Sequence, residues 1–237
     1  MTYRFRDLDN RWAVARRVTE VIRDGLAASE LEAWKRRSCV EHAIEGGFTD
    51  PGDALASWET SSRIAADRGT AVHQEIAAVL RDPALVSGPT ATPYVRAWYT
   101  WQLTKGVKLE PRWIEQTVTD GTMRVAGTAD CFMATRRGKI SVIDWKTVGR
   151  LDAKTRAPWP SHLVQAAAYA SMIWRITDTR IVGSLPVVDE ARIVRLYSDG
   201  DFRETVLEGE ELDFWKVAWS HVRWLGTFPA QATKKFG

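Results

Sequence analysis

The chain has 237 residues, of which 45% are hydrophobic and 27% are charged, and its formal net charge is +3. This composition predicts one globular domain over residues 1–237, and no apolar run approaches the ~18 residues that a membrane helix needs. The first residues lack the apolar segment of a signal peptide, so we expect a cytosolic protein that does not bind a membrane. Its two cysteines, Cys39 and Cys131, cannot form a four-cysteine zinc or iron–sulfur site.

Apolar periodicity and turn residues predict an alternation of helices and strands. The predicted helices cover 10–45, 54–67, 70–81, 94–102, 162–176 and 210–225. The predicted strands cover 113–118, 123–135, 139–147, 191–197 and 202–207, and the first three form a meander. This order predicts a mixed α/β fold, with a central mixed sheet flanked by helices and a helical region over 1–68. Core motifs then fall within 69–176, and a hairpin and a helix within 177–237.

Two carboxylates and one ammonium group fall near the ends of neighbouring predicted strands. Side chains alternate along a strand, so Asp144 and Lys146 point the same way. Asp130 is expected to end the preceding strand, and pairing of the two strands would place it beside Asp144. The two negative charges repel, and a divalent cation relieves the repulsion; oxygen ligands favour Mg²⁺ or Mn²⁺ over zinc. The alternative is an ordinary ion pair between Asp144 and Lys146.

These groups are suited to the hydrolysis of a phosphodiester. A bound metal polarises a phosphoryl oxygen and lowers the pKa of a bound water. Lys146 can stabilise the charge that develops in the transition state, or orient the attacking water.

Three further residues are candidates for the site only when they are considered together with Asp130, Asp144 and Lys146. His73 lies at the edge of an apolar helix face, where a hydrogen-bonded core histidine is the commoner case. Gln165 and Tyr169 are four residues apart and project from one helix face beside small alanines. Taken alone, that pair is typical of any amphipathic helix.

Four motifs, in this order, resemble the RecB-like branch of the PD-(D/E)xK nuclease superfamily. They are Gly-Thr-x-x-His at 69–73, Gly-Thr-Ala-Asp at 127–130, Ile-Asp-Trp-Lys-Thr at 143–147 and Gln-x-x-x-Tyr at 165–169. The resemblance covers about residues 69–170 and implies a restriction-endonuclease-like core. The chain lacks the four cysteines of the CRISPR-associated members and has no Walker motif, so it resembles the stand-alone members.

The resemblance also implies the roles of the site residues. A metal site would be built from His73, Asp130, Asp144 and the backbone carbonyl of Trp145. Lys146 would be the catalytic lysine, while Gln165 and Tyr169 would help to hold the DNA strand or the site. Among the other acidic residues, Glu75 is expected to face solvent. Glu115 could approach the metal through a water, although a solvated glutamate is the commoner case.

The activity implied is that of a Mg²⁺- or Mn²⁺-dependent deoxyribonuclease, most often an exonuclease acting at linear DNA ends. Small members of this kind often come from bacteriophage recombination, repair or replication modules, and such a nuclease either acts alone or borrows an annealing protein or a helicase as its partner. The alternatives are a structure-selective endonuclease of the same fold, a DNA-binding module that has lost the chemistry, and a structural partner in recombination.

The segment between the catalytic strand and the Gln165 helix is expected to overhang the site. Its basic residues Arg150, Lys154 and Arg156 are candidates for phosphate contacts, and Trp159 for stacking on a base. The alternative is a solvated loop with Trp159 packed into the core.

Overall fold

A nine-stranded mixed sheet lies at the centre of the part of the chain that the computed structural model describes, which is residues 2–26, 28–85, 92–105, 109–135, 138–149 and 157–235. The strands are β1 Tyr3–Arg6, β2 Trp12–Arg17, β3 Leu109–Thr119, β4 Val125–Thr135, β5 Ile140–Val148, β6 Trp174–Thr177, β7 Arg180–Ser184, β8 Glu190–Tyr197 and β9 Phe202–Glu208. Their spatial order is β2-β1-β7-β6-β3-β4-β5-β8-β9. The β5–β8 pair is parallel, and the β3–β4 and β4–β5 pairs are antiparallel, as the predicted meander requires.

Helices cover both faces of this sheet. They are α1 Val18–Gly25, α2 Ala28–Glu45, α3 Pro51–Arg81, α4 Pro93–Thr104, α5 Pro160–Ala170 and α6 Gly209–Lys235, with a short 3₁₀ turn at Pro83–Leu85. Apolar residues of α1, α5 and α6 pack on one face, and those of α3 and α4 pack on the other. Alternate side chains of β5 pack into the cores on the two faces of the sheet: Val142 belongs to the first core and Ile143 to the second. The predicted fold class is therefore confirmed.

Six strands of the sheet close on themselves. β2 pairs with β1 at one side and also runs parallel to β4, through Arg16 with Val125 and Arg17 with Ala126. The pairings β2-β1-β7-β6-β3-β4-β2 thus form a ring around a small third core, which includes Phe5, Ala15 and Ile176.

Three predicted boundaries are wrong. Residues 12–17 form strand β2 rather than the predicted helix. The prediction failed because Trp12 and Val14 contributed to the helical apolar spacing but are exposed, so that spacing does not mark a buried face. Gly69 does not separate two helices but lies inside the 31-residue α3. The helix predicted over 162–176 ends at Ala170, and residues 174–177 form β6.

In the ranges that the structure covers, no helix is both long and apolar enough to cross a membrane.

Candidate active site

The site lies where strands β4 and β5 separate. Their antiparallel ladder ends at the pair Cys131 and Ile143, so Asp130 and Asp144 are the next residues on each strand. The Asp130 carboxylate accepts a hydrogen bond of 2.8 Å from the backbone N–H of Trp145, in place of a ladder bond. Asp130 was expected to end its strand, but it lies in the middle of β4. Only the pairing of β4 with β5 ends next to Asp130.

Asp144 and Lys146 lie on the same face of β5, as the two-residue spacing predicts. The Lys146 Nζ atom is 2.8 Å from each carboxylate oxygen of Asp144, and its directional hydrogen bond goes to Oδ1. The same ammonium donates a hydrogen bond of 3.1 Å to Oε1 of Gln165 on α5. The Asp144 Oδ2 atom is fully buried and accepts no hydrogen bond from the described residues. The Lys146 ammonium, 2.8 Å away, therefore balances the charge of this oxygen without donating a directional hydrogen bond to it.

Burial controls the electrostatics of this pair. Burial raises the pKa of Asp144 above its ordinary value, and the Lys146 charge only partly opposes this. Burial acts to lower the pKa of Lys146, but the charges of Asp144 and Asp130 outweigh it, so the pKa of Lys146 is raised. Lys146 is therefore held as an ammonium cation beside Asp144.

The motif residue between them, Trp145, has its side chain on the opposite face of β5. Its ring packs edge-on against Trp98 and Trp101 of α4, with centroids 6.4 Å and 5.0 Å away. This buried aromatic cluster fixes β5 against α4, so the two charged neighbours of Trp145 point towards α5.

A second cluster of possible metal ligands lies around Asp130. His73 on α3 places Nδ1 3.3 Å from Oδ1 of Asp130. Glu115 on β3 completes the group, and ligand atoms of His73, Glu115 and Asp130 all lie within 4.8 Å of one another. A cleft of about 440 Å³ opens beside His73 and Glu115, so solvent and small ions reach this cluster.

The charges in this cluster are incompletely balanced. Burial lowers the pKa of His73, but the hydrogen bond and charge of Asp130 outweigh it and raise the pKa above its ordinary value. Burial, followed by repulsion from Asp130, raises the pKa of Glu115. Two carboxylates share one histidine here, an arrangement that a divalent cation would stabilise.

Sequence reasoning allowed Glu115 only a water-mediated approach to the metal, whereas the structure places its carboxylate within the ligand group. Its backbone has a φ of 50°, which is rare for a non-glycine residue and costs roughly 1–3 kcal/mol unless its surroundings hold it. It lies just after an irregularity between Pro111 and Trp113 in the β3–β4 pairing. Pro111 was the available signal, because proline inside a strand marks a bulge, and bulges re-aim side chains near active sites.

Tyr169 holds α5 against the sheet beside the site. Its ring packs on Gly127 so closely that a Cβ atom at that position would lie 2.8 Å from Cε1 of Tyr169, which explains the glycine of the 127–130 motif. Burial raises the pKa of the Tyr169 phenol well above its usual value, and Gln165 opposes this only in part. Tyr169 therefore stays protonated and does not serve as a base.

Two further groups beside Lys146 were not singled out from the sequence. Arg195 on β8 pairs with Lys146 across the parallel ladder and is nearly buried. His162 on α5 lies close to both cations, and burial, followed by their charges, lowers its pKa to about 3. His162 is therefore neutral beside Lys146 and Arg195.

The predicted DNA-contacting segment is only partly described. Arg150, Lys154 and Arg156 lie outside the described residues, so their role stays a prediction. Trp159 directly precedes α5 and its side chain is 48% exposed, so it is not packed into the core.

The donor set is chemically suitable for Mg²⁺ or Mn²⁺. The structure brings His73 and Asp130 together as the resemblance implied and adds Glu115, whereas both oxygens of Asp144 lie against Lys146. Carboxylate oxygens with one imidazole nitrogen suit these hard or borderline cations. The carbonyl of Trp145 as a ligand stays a prediction.

No protein-family model matches the chain, and no curated protein matches it. Among solved structures, it is similar to an alkaline exonuclease, LHK-Exo, from Laribacter hongkongensis, with 11% identity, a TM-score of 0.43 and coverage of 94% of this chain and 95% of that one. The structure of LHK-Exo in complex with dAMP gives 12% identity and a TM-score of 0.40 over the same shares. The structure of SSO0001 gives 14% identity and a TM-score of 0.38 over 88% of this chain and 75% of that one. These are similarities of fold.

Proposed function

We propose that the protein is a metal-dependent deoxyribonuclease that hydrolyses phosphodiester bonds, and more narrowly an exonuclease acting on linear DNA. The observation that carries this proposal is the position of the Lys146 ammonium on the Asp144 carboxylate, next to the cluster of His73, Glu115 and Asp130. A buried ammonium, a carboxylate oxygen without a hydrogen bond and a group of incompletely balanced ligands are the parts that this hydrolysis needs.

The residues of the chain divide the work. His73, Glu115 and Asp130, joined by Asp144 as the resemblance implies, would hold Mg²⁺ or Mn²⁺, which when bound supplies a polarised phosphoryl oxygen and a water of lowered pKa. Lys146 is kept charged by its neighbours and can donate a hydrogen bond to the developing phosphoryl charge. Gln165 accepts a hydrogen bond from Lys146 and so fixes the direction of the ammonium group.

Asp144 holds Lys146 in place, because both of its carboxylate oxygens lie 2.8 Å from Nζ, and its charge also acts on His73. Its place among the metal ligands stays a prediction from the resemblance. The intact set of Asp130, Asp144 and Lys146 favours an enzyme over a DNA-binding module that has lost its chemistry. A helicase or annealing partner, a phage recombination pathway and a cytosolic location stay predictions from the resemblance.

The test is digestion of end-labelled linear DNA, single- and double-stranded, and of closed circular DNA, with Mg²⁺ or Mn²⁺. We expect wild type to release acid-soluble nucleotides from linear DNA and to leave circles intact. Lys146→Ala should lose about 10²–10³-fold in rate, as when a charge-stabilising donor is removed. Lys105→Ala, an exposed lysine at the end of α4, should act as wild type.

Three results would contradict the proposal in different ways. Equal nucleotide release by wild type and Lys146→Ala would remove Lys146 from the mechanism. Cleavage of circular DNA with discrete products from linear DNA would show an endonuclease of the same fold. Absence of cleavage, together with absence of Mn²⁺ binding in calorimetry, would favour the DNA-binding module.

A further inference from the structure

The outward face of the β1–β2 hairpin combines an exposed indole with two arginines. The Trp12 side chain is 50% exposed at the start of β2. The guanidinium carbon of Arg6 lies 4.3 Å from the centre of its ring system, and that of Arg4 lies 5.2 Å away. This cation–π contact holds the indole in place while half of its surface stays open to solvent.

Strand alternation explains why these side chains are outside. Phe5 and Ala15 are fully buried in the core of the strand ring, so the residues that alternate with them along β1 and β2 point away from it. The register pairs Arg6 with Trp12 and Arg4 with Val14, which places all four on one surface. A buried role for Trp12 is therefore excluded in the described fold.

The neighbouring strand extends the same surface. Arg180 on β7 pairs with Arg6, and it is exposed. Residues 2–17 and 174–184 together carry seven arginines and three aspartates, a net charge of +4, whereas the whole chain carries +3. No carboxylate among the described residues forms an ion pair with Arg4, Arg6 or Arg180. The positive charge of the protein is thus concentrated at these two hairpins.

We propose that this surface, formed by Arg4, Arg6, Trp12 and Arg180 and called here the Trp12 face, binds single-stranded DNA. Guanidinium groups that lack carboxylate partners complement phosphates, and an exposed indole stacks on a base. An indole needs an unpaired base to stack on, so the face discriminates in favour of a single strand over a duplex.

The hairpin that carries the Trp12 face also contacts the strand that carries Asp130. From Arg6, β1 runs about 10 Å, at ~3.3 Å per residue, to Tyr3. The Tyr3 hydroxyl lies 3.2 Å from Oγ1 of Thr128, which is two residues before Asp130. The inward face of the hairpin that carries the Trp12 face is therefore packed on the strand that carries Asp130. The proposal deepens the proposed function and rests on it in taking DNA as the ligand.

The experiment measures fluorescence anisotropy of a labelled oligothymidine of about 15 nucleotides, in EDTA so that no cleavage occurs, over a series of salt concentrations. Trp12→Ala should bind about tenfold more weakly, because one base loses its stacking partner, and Trp12→Phe should stay close to wild type. The triple variant Arg4→Gln/Arg6→Gln/Arg180→Gln should reduce the slope of log K against log salt by about 2. Arg203→Gln is the matched control, because Arg203 lies on β9 at the opposite end of the sheet.

Three results would overturn the proposal. The first is wild-type affinity in both Trp12→Ala and the triple variant. The second is an equal loss of affinity for duplex and single-stranded DNA in Trp12→Ala, which would exclude stacking on an unpaired base. The third is a changed sedimentation coefficient of Trp12→Ala with unchanged DNA affinity, which would show a protein interface instead.

The failure of this proposal and that of the proposed function are distinguishable. Trp12-dependent binding in EDTA without any cleavage in Mg²⁺ or Mn²⁺ would leave the Trp12 face in place and remove the nuclease. Cleavage that depends on Lys146, with binding indifferent to Trp12 and to the three arginines, would leave the nuclease and remove the face.

Discussion

The carboxylates of the site belong to two groups that differ in how their charge is balanced. Asp144 is almost fully buried and has a dedicated cation, the Lys146 ammonium 2.8 Å away. Asp130 and Glu115 share His73 and lie beside an open cleft. Burial raises the pKa of Asp144 and of Glu115, but only Asp144 has a lysine to offset it. The first group has its counter-cation within the protein, and the second is suited to an added cation.

The two groups should therefore respond differently to mutation, one in the stability of the fold and the other in metal binding. Removing Lys146 leaves a buried charge without a partner, which is costly for the fold itself. Removing the Glu115 carboxylate relieves its repulsion from Asp130 in the metal-free protein. We expect the same change to weaken metal binding. Stability and metal affinity therefore separate the two groups experimentally.

The largest expected effect is on the ion pair. Lys146→Met should lower the free energy of unfolding in EDTA by about 3–5 kcal/mol, because Asp144 then stays buried without a counter-charge. The double variant Asp144→Asn/Lys146→Met should recover most of the loss, as measured by urea unfolding. Arg112→Met, which breaks the exposed pair with Glu110 at 3.5 Å, should cost less than about 1 kcal/mol. Additive single losses in the double variant would show that Asp144 and Lys146 do not act as a pair.

An intermediate effect is expected in the metal group. Glu115→Gln should bind Mn²⁺ about tenfold more weakly or worse in calorimetry, and Mn²⁺ should raise its melting temperature less than that of wild type. Glu75→Gln is the control, since it removes the same charge from α3 two residues after His73. Equal Mn²⁺ affinity in wild type and Glu115→Gln would exclude Glu115 from the metal site.

The smallest effect concerns pH. The pKa of Glu115 is raised in the folded protein, so the folded state holds this proton more tightly than the unfolded state. Its contribution to stability is therefore full below the ordinary glutamate range and is lost as the pH rises through the raised pKa. In EDTA, Glu115→Gln should lack this loss, so its melting temperature should fall less than that of wild type between the acidic range and neutrality. A parallel pH dependence in the two proteins would contradict the raised pKa.

The Asp144–Lys146 pair could be predicted from the sequence, whereas the contribution of Glu115 to the second group could not. The relation of Asp144 to Lys146 follows from the period of a strand, and that of Gln165 to Tyr169 from the period of a helix, so spacing alone was informative. Glu115 joins the site through an irregular strand and a positive φ, which spacing does not encode. Arg195 becomes a neighbour of Lys146 only through the pairing of β5 with β8, which are separated by α5, β6 and β7.

The fold divides in a similar way. The meander of β3, β4 and β5 and the helix α5 follow from local turn signals and apolar patterns. The N-terminal hairpin does not, because Trp12 and Val14 face solvent and imitate a helical spacing. Its strands are fixed by pairing with β4 and β7, more than 100 residues away in the chain.

The sequence by itself determined the Asp144–Lys146 face, the Gln165–Tyr169 face and the class of fold, since these depend on local periodicity and on side-chain chemistry. Only the tertiary structure decided that Asp130 lies where two strands separate, that Glu115 joins it, and that the arginines of two distant hairpins share one surface with Trp12. Those facts depend on strand register and on long-range pairing, and neither is specified by any short stretch of residues.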